Sequence, residues 1–151
     1  MYRPGKIISG GQTGVDRAAL DVAIELGIDH GGWCPAGRKA EDGQIPSHYR
    51  LTETRETDYV TRTRLNVRDS DGTLILSLGE TSGGTLKTFE IATELGRPLL
   101  LVDLNKPLAN SEFHDWLSTN QIKVLNIAGP RESKYSGIQL RARDCLRDLL
   151  D

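Results

Sequence analysis

Two glycine-bearing turns, Gly10-Gly11-Gln12-Thr13-Gly14 and Ser82-Gly83-Gly84-Thr85, each follow an apolar run and each open an amphipathic helical pattern. Strand, glycine turn, helix is the unit from which parallel sheets are wound. Glycine lets backbone approach a ligand closely, and the unpaired N–H groups and dipole of a helix start favour negative charge. Two such starts in one small domain point to a phosphorylated ligand held between them. The first turn is not the dinucleotide fingerprint G-x-G-x-x-G, and no Gly-Lys-Ser/Thr follows to make a P-loop. A tight strand-to-helix connection, with Thr13 as N-cap, accounts for it equally well.

Short β-rich runs near Lys6–Ser9, His30–Trp33, Gly72–Leu78, Pro98–Asp103 and Lys123–Ile127 alternate with helical patterns near Gly14–Leu26, Asp58–Arg68, Thr85–Leu95, Ser111–Asn120 and Gly137–Leu150. This order predicts a parallel sheet with helices on both faces, in a single domain over residues 1–151. Gly27 and Gly96 stand where two helices should stop, and Pro98 reinforces the second stop. In the last helix Ile138, Ala142, Cys145, Leu146 and Leu149 share one face, which predicts a buried Cys145. The stretch Cys34–Thr57 is irregular and charged. A loop of that length is functional or hides a short strand, for which Tyr49–Thr52 is the candidate.

Composition removes several function classes. Nineteen Lys and Arg against 21 Asp and Glu give a net charge of −2, so no global basic field draws nucleic acid. Leu99–Val102, the longest aliphatic run, is too short to span a bilayer, and no leader pattern precedes the first strand. Cys34 and Cys145 lack C-x-x-C spacing, which predicts a reducing, cytoplasmic setting without disulfide framework or zinc ribbon. His30, His48 and His114 are scattered and predict no metal site.

In an open α/β sheet, ligands bind outside the carboxyl ends of the strands. The loops there carry Gly10, Gly11, Gln12, Thr13 and Gly14 with Asp16 and Arg17, then Arg38 and Asp42, then Gly83, Gly84 and Thr85, then Asp103, and finally Arg131. Asp16 is either a macrodipole partner in the first helical turn or a contact to a ligand ring, ribose or metal. Arg17, Arg38 and Arg131 offer charge-assisted forks to phosphate, although a single arginine is as readily a solvated surface residue. Cys34 reads as a packed thiol.

Gly-Gly-Gln-Thr-Gly-Val-Asp-Arg at 10–17, Gly-Gly-Trp-Cys-Pro at 31–35, Ala-Glu-Asp-Gly at 40–43, Arg-Thr at 62–63, Asn-Val at 66–67, Ser-Asp-Gly-Thr at 70–73, Gly-Gly-Thr at 83–85 and Asn-Ile-Ala-Gly-Pro-Arg-Glu-Ser at 126–133 resemble the putative molybdenum carrier family. That family belongs to a Rossmann-like superfamily with the Lonely Guy phosphoribohydrolases. The resemblance runs over nearly the whole chain. It implies a three-layer α/β sandwich, assembly into homo-oligomers such as dimers or tetramers, and binding of the molybdenum cofactor, a pterin phosphate.

The phosphoribohydrolases carry Pro-Gly-Gly-x-Gly-Thr-x-x-Glu, whose glycines and threonine hold phosphate and whose glutamate assists glycosidic cleavage. Here Gly84-Thr85 falls on the Gly-Thr and Thr88 on the glutamate. A hydroxyl of ordinary pKa does not replace a carboxylate in that role. The expectation is a carrier of a phosphorylated heterocycle, with Gln12, Asp16 and Asp42 on the ring and the Cys34–Thr57 loop folding over the pocket. The competing readings are a nucleotide sensor and a nucleotide-processing enzyme acting through Asp16, Asp42 or Asp103.

Overall fold

The computed structural model describes residues 2–106 and 108–151. In chain order the elements begin with β1 (Lys6–Ile8), α1 (Val15–Leu26), β2 (Asp29–Gly31), β3 (Trp33–Cys34), a 3-10 turn (Ala36–Arg38), β4 (Lys39–Ala40), β5 (Gly43–Gln44) and β6 (Thr52–Glu53). They continue with α2 (Tyr59–Arg68), β7 (Gly72–Ser77), α3 (Gly83–Glu94), β8 (Leu99–Asp103), α4 (Asn110–Thr119), β9 (Val124–Ala128) and α5 (Ile138–Leu150). The helices lie close to where periodicity places them, and Gly27 ends α1 in the left-handed conformation with its N–H on the helix carbonyls.

The main sheet runs β2-β1-β9-β7-β8, and every neighbouring pair in it is parallel. One face packs Ile7, Leu74, Leu76, Leu125 and Ile127 against Ala18 and Val22 of α1, Phe113 and Leu117 of α4, and Ala142 and Leu146 of α5. The other is smaller, joining Val67 of α2 to Ile91 and Ala92 of α3. Burying each of the larger aliphatic side chains contributes about 1.5–3 kcal/mol. The result is a three-layer, Rossmann-like α/β sandwich.

Counting only main-sheet strands, the order is 2-1-5-3-4. Moving β9 and α5 ahead of β1 turns it into 3-2-1-4-5, the order of the dinucleotide-binding sheet. The chain is a cyclic shift of that architecture. The point where strand order reverses lies between β9 and β7, so a ligand crevice belongs at their carboxyl ends.

Three expectations need correction. The strand expected over His30–Trp33 breaks at Gly32, whose φ of 125° leaves the sheet and whose missing side chain clears the Ser9 backbone, its N only 2.9 Å and its carbonyl oxygen still nearer to where a Cβ would stand. The chain then starts a second, two-stranded sheet in which β3 pairs with β6. The strand expected at Tyr49–Thr52 is therefore Thr52–Glu53. Tyr49 instead packs with Leu20, Cys34, Ala40 and Ile45 and donates its hydroxyl to Asp21 at 2.5 Å. Cys145 is only partly buried, at the margin of the core.

Candidate functional site

The carboxyl ends of β7 and β9 and the turn after β1 open onto one cavity of about 210 Å³. Gly10, Gln12 and Asp16 line it from the first glycine turn, and Ser82, Gly83, Gly84, Thr85 and Thr88 from the second. The two turns converge, but they present different chemistry.

The start of α1 is satisfied from within the protein. The N–H of Val15 donates to the Pro130 carbonyl at 3.2 Å, that of Gly14 to Gln139 Oε1 at 3.0 Å, and that of Thr13 to Gln12 Oε1 at 3.1 Å. Gly14 allows this approach, because a Cβ there would stand 2.8 Å from the Arg131 backbone. The start of α3 is open: its N-cap Ser82 makes no capping bond, and no described group accepts from the N–H of Gly83, Gly84 or Thr85. Thr88 lines the cavity and donates its hydroxyl to the Gly84 carbonyl at 3.0 Å, so its proton is engaged within the helix.

Basic side chains surround the open end. Lys87 lines the cavity from α3, and Arg131 and Lys134 line it from the loop before α5. The Lys134 ammonium donates to Ser82 Oγ and comes within 3.8 Å of where a Gly83 side chain would begin. A cation at the positive end of a helix is unfavourable until an anion joins it.

The deep end holds an ion pair. Asp16 is 3 % exposed, and its Oδ2 accepts from Arg62 Nη1 at 2.9 Å and from the Gln12 N–H at 3.3 Å. Burial pushes its carboxyl above the usual range, against the opposing charge and hydrogen bond of Arg62. The Arg62 guanidinium lies 5.5 Å from the Tyr59 ring centre, and its buried Nε–H has no partner among the described residues.

The remaining expected residues have structural partners. Gly11 faces Ile45 and Leu51. Thr13 Oγ1 donates to Glu41 and accepts from the Glu132 N–H. Arg17 holds Asp42 through a two-pronged pair at 2.5 and 2.8 Å and reaches the Gly11 carbonyl. The hydrogen bonds from Arg17 hold the Asp42 carboxyl below its ordinary value, against a smaller opposing effect of burial. Arg38 donates to the carbonyls of Ile45, Pro46 and Tyr49. None of Gly11, Thr13, Gly14, Arg17, Arg38 and Asp42 lines the cavity, and neither does any residue of 34–57, which packs on α1 at Leu20. The loop expected to close over the pocket packs instead on α1 in this structure.

Glu41 nevertheless acts at a distance. It accepts from Ser133 Oγ at 2.5 Å and from the Ser133 N–H at 3.2 Å, and pairs with Arg131 at 3.5 Å. Burial raises its carboxyl, but the bonds from Ser133 and Thr13 prevail and hold it below the ordinary value. The cavity wall before α5 is thereby tied to the 34–57 loop.

Tyr59, Arg62, Thr63 and Asn66 line the cavity from α2; the last three lie in segments that carry the family resemblance, but sequence reasoning assigns no ligand role to any of the four. A signal was present: these four positions recur at helical spacing and make a polar stripe where an ordinary surface helix would be apolar.

Comparison with solved structures finds the crystal structure of a putative molybdenum carrier protein from Syntrophus aciditrophicus SB, 45 % identical, with a TM-score of 0.94 over 98 % of this chain and 96 % of that one. No curated protein matches. A family model describing the circularly permutated YpsA SLOG family matches residues 7–150, in agreement with the cyclic shift of the sheet. The chain therefore belongs to the circularly permutated YpsA SLOG family.

Proposed function

We propose that this protein binds a small phosphorylated heterocycle, with the phosphate at the start of α3 and the ring toward Asp16 and Arg62. The observation that carries the reading is the uncapped N-terminus of α3 opening onto a cavity lined by Lys87, Arg131 and Lys134. Helix N–H groups and flanking cations together form a phosphate site.

Carriage of the molybdenum cofactor is the specific form of this reading. Support comes from the name of the solved relative, from the open helix start and basic side chains just described, and from the polar pair beneath them. The residues suit a pterin phosphate: Gly83, Gly84, Thr85 and Lys134 would hold its phosphate, and Asp16, Arg62 and Gln12 its ring. Thr88, standing where the related hydrolases have glutamate, favours binding over glycosidic cleavage. A second reading, a nucleotide sensor or nucleotide-processing enzyme, is favoured by the buried Asp16 carboxyl inside the cavity. Self-association of copies as a dimer or tetramer is the assembly that the family resemblance implies.

Calorimetric titration with inorganic phosphate and a nucleoside monophosphate tests the site. Gly84 has open space around its missing side chain, so Gly84→Val should fold normally and block the cradle, and Lys134→Ala should weaken binding about tenfold. Unchanged affinity in both folded variants would remove the site from α3.

A further inference from the structure

The Asp16–Arg62 pair has more hydrogen-bonding capacity than the protein uses. Asp16 engages Oδ2 with Arg62 and Gln12, whereas no described group donates to Oδ1. Arg62 engages Nη1 with Asp16, its Nε–H is buried without a partner among the described residues, and no described group accepts from Nη2. Gly10 makes this arrangement possible by leaving room for the guanidinium. A vacant carboxylate acceptor thus stands beside vacant guanidinium donors, on a wall of the cavity.

Such a pair is a poor seat for phosphate. The negative charge of Asp16 repels a dianion that Arg62 alone would attract, while Lys87 and Lys134 at the other end have no carboxylate partner among the described residues. Phosphate is directed to α3, which leaves the pair to the ring. Resting on the phosphorylated-heterocycle reading above, we propose that Asp16 and Arg62 select rings carrying a lactam edge, an N–H beside a C=O. The ring N–H donates to Asp16 Oδ1, and the ring oxygen accepts from the Arg62 guanidinium. Guanine, hypoxanthine and the pterins carry this edge. Adenine does not: its equivalent ring nitrogen is a bare acceptor, which would face the Asp16 carboxylate lone pair to lone pair.

The test is a calorimetric comparison of GMP, IMP, AMP and ribose 5-phosphate on the unaltered protein. GMP and IMP should bind about tenfold or more tightly than AMP, the size of effect expected when a charged group loses its hydrogen bond. Asp16→Asn, with its fold checked by circular dichroism, should abolish that preference by weakening GMP and sparing AMP; should the variant not fold, the ligand ratios on the unaltered protein still decide. Equal binding of all four, or tighter AMP, would overturn the lactam inference while leaving the phosphate cradle intact. No binding by any of them would overturn both.

Discussion

The guanidinium of Arg62 lies where a side chain on Gly10 would have to begin: a Cβ there would stand 2.5 Å from Cζ and 2.9 Å from Cδ. Gly10 thereby leaves the space through which Arg62 of α2 reaches Asp16. Gly10→Ala should therefore displace Arg62 and cost about 1–3 kcal/mol, the usual range for overpacking. In an Arg62→Ala background the same change should cost much less, a coupling that a double-mutant cycle on urea unfolding would measure. Additive costs would contradict the relationship.

Removing Arg62 alone leaves a buried carboxylate uncompensated. Arg62→Ala should lower stability by about 3–5 kcal/mol at neutral pH. Burial already raises the Asp16 carboxyl above its ordinary value of 3.8, and without Arg62 it rises further. A raised carboxyl binds its proton more tightly in the folded state, so stability falls as pH rises above the ordinary value. The gap between parent and variant should widen from mildly acidic to neutral pH in urea midpoints, and a constant gap would argue against the pairing.

Glu41 behaves in the opposite sense. Its carboxyl is held below the ordinary value of 4.5, so its contribution is full above that value and disappears as pH falls through the depressed one. Glu41→Gln should destabilise the protein by about 1 kcal/mol at neutral pH and by nothing measurable in strong acid. A difference that persists in acid would show that Glu41 acts through packing rather than charge.

Arg38 and Lys134 should separate cleanly. Arg38→Ala unties the carbonyls of Ile45, Pro46 and Tyr49 and should lower the melting temperature without changing phosphate affinity. Lys134→Ala should leave the melting temperature near that of the parent, weaken phosphate binding, and flatten its salt dependence. Calorimetry at two ionic strengths distinguishes them, and a loss of affinity in Arg38→Ala would return that residue to the site.

The helices and main strands were legible because their signals are local: apolar spacing, glycine stops after Leu26 and Leu95, and β-rich runs bounded by turns. The insertion of β9 between β1 and β7 is a long-range pairing that no local pattern carries. Both glycine turns were recognisable, and they do share one cavity. Their division of labour was not, because it depends on Pro130 and Gln139, over a hundred residues distant, satisfying the start of α1. Arg17, Arg38 and Asp42 look like ligand groups in sequence because charge and loop position do not reveal which partner a side chain finds. Arg62 was overlooked for the converse reason: it sits mid-helix, where attention falls on apolar spacing rather than on polar spacing turned inward.

Amide chemical-shift mapping of the ¹⁵N-labelled protein during titration with inorganic phosphate, and then with GMP, tests the phosphate seat most directly. The amides of Gly83, Gly84 and Thr85 should shift first and most, since they are the open donors, while those of Gly14 and Val15, already bonded within the protein, should move little. Shifts centred on Gly11–Val15, or none at the start of α3 with either ligand, would contradict a phosphate site there.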